Sequence, residues 1–238
     1  MLQNLEKQKQ YYLDNLFPAE GKDIPKLRFK EFKEKWKKNL LGNIAVWNNG
    51  NNFSKDDLLP SGFYPAIHYS ELYTKYHGYI HKTNYINLLP KNQKFAHKGD
   101  TLLPKTTTSG TGWGLIEPST VLIKKIAVGS DIIIISSNTG INFLNFLLRN
   151  SILRNKIAST ATGATGIMHL NVKQIKNIET FIPTIEEQEK IAKFLAKIDG
   201  IIERERDAKN NYQTKTILSW SFISERKWNN PIISIQKF

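Results

Sequence analysis

The chain has 238 residues, room for one sizeable domain with appendages, and 34 Lys and Arg stand against 21 Asp and Glu, a net charge of +13. That excess points to an acidic partner, nucleic acid being the usual one, although a merely basic protein would show the same balance. The absence of cysteine excludes disulfides, thiolate zinc sites and cysteine nucleophiles, and the longest oily run, 132–148, is broken by Ser, Asn, Thr and Gly, short of the about 20 apolar residues of a membrane span.

The N-terminal run MLQNLEKQKQYY has no apolar core, so no signal peptide is read there and a cytoplasmic protein is expected. Leu2, Leu5, Tyr12, Leu13, Leu16 and Phe17 share a rough face, which predicts a short helix closed by Pro18. Such a helix is marginal alone in water and needs a partner surface, either the C-terminal helix of this chain or that of a second copy. Residues 19–26 form a polar linker, and 28–38 alternate charge with Phe29, Phe32 and Trp36, a strand entry or a short helix. The run NNGNNFS at 48–54 is a loop by composition. Its Asn side chains can pair with adenine, but Asn-rich stretches are more often plain turns. Residues 63–90, rich in Tyr, Ile and His, predict strands with turns. His77 and His81 would make a metal pair only on a helix, against which Gly78 and the β-prone neighbours argue. Residues 95–101 turn into a strand starting at Leu102; 119–125 and 131–136 are further strands. A helix is predicted over 142–158, apolar at Phe143, Phe146, Leu147 and Ile157 and basic at Arg149, Arg154 and Lys156.

Two segments stand out as ligand-binding loops. Residues 105–114, KTTTSGTGWG, offer Lys105, Thr106, Thr107, Ser109, Thr111 and Trp113 among closely spaced glycines. Hydroxyls and free backbone N–H groups contact phosphates, and glycine lets two backbones approach. The run is neither a Walker loop nor a convincing dinucleotide-binding turn. The second segment carries Thr160, Thr162, Thr165 and His169. Both are candidates for DNA contact; a plain hairpin, or a tight turn that delivers the next strand, would use the same residue types.

The small-residue loop 162–166 leads into a strand-like run ending at Ile182-Pro183, where a helix opens. Thr184 is a good N-cap with Glu187 in the capping-box position, and Glu186, Glu187 and Glu189 suit the positive end of the dipole. Ile191, Phe194, Leu195, Ile198, Ile201 and Ile202 recur at helical spacing along one face. The stripe serves equally for self-association and for packing on the chain's own domain. Residues 203–211 are charged, Tyr212 to Phe222 resume an apolar face, and a loose tail is expected from 224.

In this order, Phe17-Pro18, Gly21, Ile24 to Phe29, Phe32 and Trp36, then Gly99 to Leu103, then Gly163 to Gly166, Ile182-Pro183, Glu186-Glu187-Gln188, Ile191-Ala192, Leu195 and Ile198-Asp199 resemble the specificity (S) subunit of type I restriction-modification enzymes. The resemblance covers roughly 17–202. It implies an α+β fold: an N-terminal helix over 1–19, one mixed DNA target recognition domain over 20–183, a long amphipathic, coiled-coil-like spacer and dimerisation helix over 184–222, and a tail over 223–238. It implies a non-catalytic chain that directs methylation and cleavage to a bipartite site on double-stranded DNA. The partners it implies are methyltransferase (M) subunits using S-adenosylmethionine and a restriction (R) subunit using ATP, with no cofactor on this chain. Family subunits resemble a tandem of two such halves; this chain has room for one and shows no internal repeat, so a homodimer reading a palindromic split site is expected. The residues agree that the chemistry lies elsewhere. No Asn/Asp-Pro-Pro-aromatic motif marks a methyltransferase, and no acidic cluster marks a nuclease. Two other readings are a small metal-dependent nuclease with an unfamiliar site and a non-DNA interaction module working through its C-terminal helix.

Overall fold

The computed structural model describes residues 1–51, 53–76, 78–108, 118–137, 142–164 and 167–228, with backbone alone at 107, 108, 164 and 210–228. The chain divides into two compact units, Gln10–Leu195, and Met1–Lys9 together with the chain from Ala196 on.

Helix α1 (Leu2–Asn15) is followed by β1 (Lys37–Leu40), β2 (Val46–Asn49), β3 (Tyr64–Ile67), α2 (Tyr69–Thr74), β4 (Tyr79–Ile80), β5 (Asn84–Ile86), β6 (Phe95–His97) and β7 (Thr101–Pro104). Then come β8 (Thr106–Thr108), β9 (Ser119–Val121), β10 (Lys125–Val128), β11 (Ile132–Ser136), α3 (Phe143–Arg149), α4 (Ser151–Ala158), β12 (Ala161–Ala164), β13 (Ile167–Leu170), α5 (Val172–Lys176), β14 (Glu179–Ile182) and α6 (Ile185–Trp228). The mixed α+β class and the long C-terminal helix agree with the sequence reading.

Two sheets make the centre of the larger unit, one of four strands in the order β5-β3-β10-β6 and one of five in the order β2-β11-β7-β9-β4. Alternation explains how one short strand serves two cores. In β10, Ile126 and Val128 enter a cluster with Ile67, Leu72, Ile80, Leu102, Ile132 and Ile134. Ala127, pointing the other way, packs with Phe53, Ala66 and Ile86. The first cluster draws on both sheets. The apolar run of β11 is buried on both faces, Ile132, Ile133 and Ile135 being fully covered, as a continuous Ile run in an interior strand requires.

Several local expectations change. Asn48 and Asn49 are strand residues opposite Ile134 and Ile133, because β11 offers a ladder that outweighs their turn propensity. Between the strands of 63–90 lies α2, whose capping box is His68 with Glu71. The helix over 142–158 is two helices. Asn150 breaks it by capping α4, its Oδ1 accepting from the N–H groups of Ile152 and Leu153, while its Nδ2 donates to the Leu13 carbonyl at 2.7 Å. The run 167–182 is also two strands, β13 and β14, separated by α5. Helix α6 continues to Trp228. His77 lies outside the described residues, and among the described residues no group of three or more His, Asp and Glu is placed to hold a metal. No helix among them is long and apolar enough to cross a membrane.

The motifs near each end of the larger unit meet. Strand β1 pairs antiparallel with β14, Lys37 opposite Ile182, and the rings of Phe17, Trp36 and Phe143 pack within 5.5–6.2 Å of one another. Arg28 grips Glu187 with two parallel bonds, from Nε and from Nη2, each 2.8 Å, and Glu187 is almost fully buried. The capping-box glutamate is thus engaged by an arginine 159 residues away. Its carboxylate also holds the Arg28 pKa above the ordinary value. In the smaller unit, Lys9 pairs with Asp199, and Arg206 Nη2 meets Glu6 Oε1 at 2.6 Å, so the start of α1 runs antiparallel to α6.

Removing Arg28 strands the buried Glu187 carboxylate, and removing Glu187 leaves the half-buried Arg28 guanidinium without its partner. Arg28→Ala and Glu187→Ala are each expected to lose about 3 kcal/mol in urea unfolding, and the double variant clearly less than the two losses added.

Candidate nucleic-acid interface

Strand β7 leaves the five-stranded sheet at Pro104, and the chain changes partners at Lys105. The Lys105 N–H donates to the Asp131 carbonyl at 2.7 Å, and its own carbonyl accepts from the Leu170 N–H at 2.8 Å. One residue thus bonds to the core sheet on one side and to a small sheet on the other. That small sheet has three strands in the order β12-β13-β8. Its register sets Thr162 opposite His169 and His169 opposite Thr106. Residues directly opposite in an antiparallel sheet share a face, so Thr162, His169 and Thr106 form one row. Two segments chosen separately from composition therefore become one structure.

The members of the row differ. Thr162 and His169 are exposed, whereas Thr106 is 5% exposed. The Thr106 hydroxyl donates to Asp131 Oδ1 at 2.7 Å and lies 2.8 Å from His169 Nδ1. Its backbone carbonyl accepts from the Tyr73 hydroxyl at 3.0 Å. Lys105 is half-buried and Ile167, on the same edge of the hairpin, is exposed. Gly163 permits the hairpin, since a Cβ there would lie 2.1 Å from the Ile167 carbonyl oxygen. Thr107 is placed by its backbone alone, opposite Met168. Ser109, Thr111, Trp113 and Thr165 lie outside the described residues. Asp131 and Tyr73, which fix Thr106, were not legible in the sequence. Gly129-Ser130-Asp131 signals a turn but not where a carboxylate will point.

The stripe on α6 is placed as follows. Ile191, Leu195 and Ile202 are buried, Phe194 and Ile198 half-buried, and Ile201 is 40% exposed. Phe194 meets the edges of Tyr12 and Phe29 at centroid distances of 4.9 and 5.9 Å.

His68, which caps α2 beneath this site, has its pKa lowered, chiefly because burial disfavours the imidazolium; Glu71 opposes the shift. The unfolded chain therefore takes up a proton near the ordinary histidine value of 6.5 that the folded chain takes up only at lower pH. Stability contributed by neutral His68 is present above that value and is lost as pH falls through the lowered folded pKa. Urea unfolding from about pH 7.5 to about pH 5 should show a smaller loss of stability for His68→Gln than for the unaltered chain.

The family described as "Type I restriction modification DNA specificity domain" matches residues 33–212. No curated protein sequence matches the chain. Among solved structures, a chain from work on complex assembly and conformational transition of the type I R-M system matches at 16% identity with a TM-score of 0.61, over 90% of this chain and 49% of that one. The HsdS subunit from Thermoanaerobacter tengcongensis matches at 17% identity and a TM-score of 0.58, over 87% of this chain and 46% of its own. A type I restriction-modification S subunit from M. genitalium matches at 13% identity and 0.58, over 90% of this chain and 52% of its own. At these identities the likeness concerns the fold. The chain spans about half the length of each solved structure.

Proposed function

The chain belongs to the type I restriction modification DNA specificity domain family, and from that membership we propose that it is a target-recognition half of a specificity subunit, choosing where a restriction-modification enzyme acts on double-stranded DNA. The observation that carries the reading is the gathering of Thr106, Thr162 and His169 into one row on a small sheet, in a chain of net charge +13. Backbone phosphates supply salt-dependent affinity through Lys and Arg, and a few side chains on the sheet face read base edges. Lys105, at the pivot between core and small sheet, is a phosphate contact; Thr162 and His169 face the groove.

The chain itself is non-catalytic and carries no cofactor. Methyl transfer belongs to a methyltransferase subunit using S-adenosylmethionine, and cleavage to a restriction subunit using ATP. All of this takes place in the cytoplasm, where the DNA is. A split target needs two recognition domains, and two copies of this chain supply them by pairing through α6, whose 44 residues span about 66 Å. The side chains left for a second copy include Ile201 and the half-buried Ile198.

Binding to a generic DNA duplex should weaken steeply with salt, the slope of log K against log salt being about −0.9 per phosphate neutralised. Lys105→Ala should flatten that slope by about 1 without changing which sequences are preferred. An unchanged slope removes Lys105 from the interface. Light scattering should give twice 27.4 kDa at working concentrations; a mass that stays at one chain even with the methyltransferase subunit present overturns the pairing.

A further inference from the structure

The Thr106 hydroxyl has one proton and two polar neighbours, Asp131 Oδ1 at 2.7 Å and His169 Nδ1 at 2.8 Å. A carboxylate only accepts hydrogen bonds. The hydroxyl proton therefore goes to Asp131, and the Thr106 oxygen turns a lone pair to His169. The contact to Nδ1 is a hydrogen bond only when Nδ1 carries the proton. In the neutral ring that leaves Nε2 bare, and the residue is exposed.

We propose that Thr106 and Asp131 are positioning residues that lock His169 in its Nδ1–H tautomer, and that His169 thereby offers Nε2 as an acceptor for the exocyclic amine of adenine or cytosine in the major groove. This rests on the DNA-recognition reading above. In that groove adenine N6 and cytosine N4 are donors, whereas guanine O6 and N7 and thymine O4 are acceptors. A ring with either nitrogen free to carry the proton could adapt to both kinds of edge. A locked ring meets an acceptor edge lone pair to lone pair, so the lock makes the ring selective rather than merely polar.

The placement of the lock is costly in backbone terms. Asp131 sits at φ +61, and among the described residues only one other non-glycine, Asn92, has positive φ. Left-handed backbone in a non-glycine residue is uncommon and persists where the surroundings over-determine it. Here Asp131 is held twice, its carbonyl by the Lys105 N–H and its carboxylate by the Thr106 hydroxyl. Thr106 is held by the Tyr73 hydroxyl and by its pairing with His169. An exposed imidazole is satisfied by water and needs no such frame for stability. The frame fixes which nitrogen is bare.

Two measurements on the full chain test this. The first is long-range nitrogen–proton NMR of the labelled histidine rings, with His169→Ala supplying the assignment. The expected pattern is Nδ1–H for His169 in the unaltered chain, lost in Thr106→Val and retained in Thr106→Ser, which keeps the hydroxyl. A ring that carries its proton on Nε2 in the unaltered chain overturns the lock. The second is selection from a pool of duplexes with randomised sequence, read by sequencing. The unaltered chain and Thr106→Ser should share a position that favours adenine or cytosine over guanine and thymine on one strand by about tenfold. His169→Ala and Thr106→Val should lose that preference and keep the rest of the motif. An identical motif in His169→Ala overturns the base contact. If the unaltered chain selects no motif at all, both the base contact and the function proposed above fail, while the NMR pattern still reports on the lock by itself.

Discussion

Every residue of α3 is buried, from Phe143 to Arg149, and this constraint organises the larger unit. A helix covered on all sides cannot leave its polar groups to water, so a donor such as the Asn145 amide nitrogen bonds inside the protein. Asn145 Nδ2 donates to the Gly78 carbonyl at 3.1 Å and to Thr120 Oγ1 at 2.7 Å, which ties α3 to β9 and to the turn before β4. Gly78 is required by its backbone, whose φ is +98, a conformation that L side chains rarely adopt. At the other end Asn150 caps α4 and donates to the Leu13 carbonyl in the last turn of α1, while Asp14 Oδ1 accepts from the Ser151 N–H. On its apolar side Phe143 packs against Phe17 and Trp36. One buried helix thus fixes the N-terminal segment and the central sheet to each other.

The candidate site hangs from this framework by backbone bonds. Lys105 joins Asp131 to Leu170 through its own N–H and C=O, and β8 then pairs with β13 along the whole described run. Such bonds do not depend on side-chain identity. The fold therefore leaves the exposed face of the small sheet free to vary, and its position relative to the core strands is fixed regardless of the side chains it carries. Thr106 is the exception, because its side chain links the sheet face to Asp131 in the turn between β10 and β11.

What the sequence revealed followed from periodicity, and what it hid followed from distance. The N-terminal helix, the Ile run of β11, the strand at Leu102 and the opening of α6 after Pro183 are local patterns and were read correctly. The two segments of the site were picked out by composition. Their meeting was invisible, because Thr106 and His169 are 63 residues apart and nothing in either run announces a cross-strand partner. Glu187 illustrates the same limit. Locally it fits a capping box, but a guanidinium brought alongside by the β1–β14 pairing engages both of its oxygens. Asn48 and Asn49 show the converse, turn-prone residues drawn into an edge strand by the neighbour they pair with.

Helix α6 shows why an apolar stripe alone cannot identify a partner. Packing within a chain and packing between chains require the same spacing of apolar residues. Here Ile191 and Leu195 are covered within the larger unit, and Ile202 is covered in the smaller one, where α1 already lies antiparallel to the helix. The partner that the short N-terminal helix needs is therefore in its own chain, fixed by the Lys9–Asp199 and Glu6–Arg206 pairs. Both pairs join oppositely charged residues at matching levels, which sets the register that an apolar seam leaves loose. Any further chain that engages α6 has to do so on what α1 does not cover, because α1 and α6 already satisfy each other within one chain.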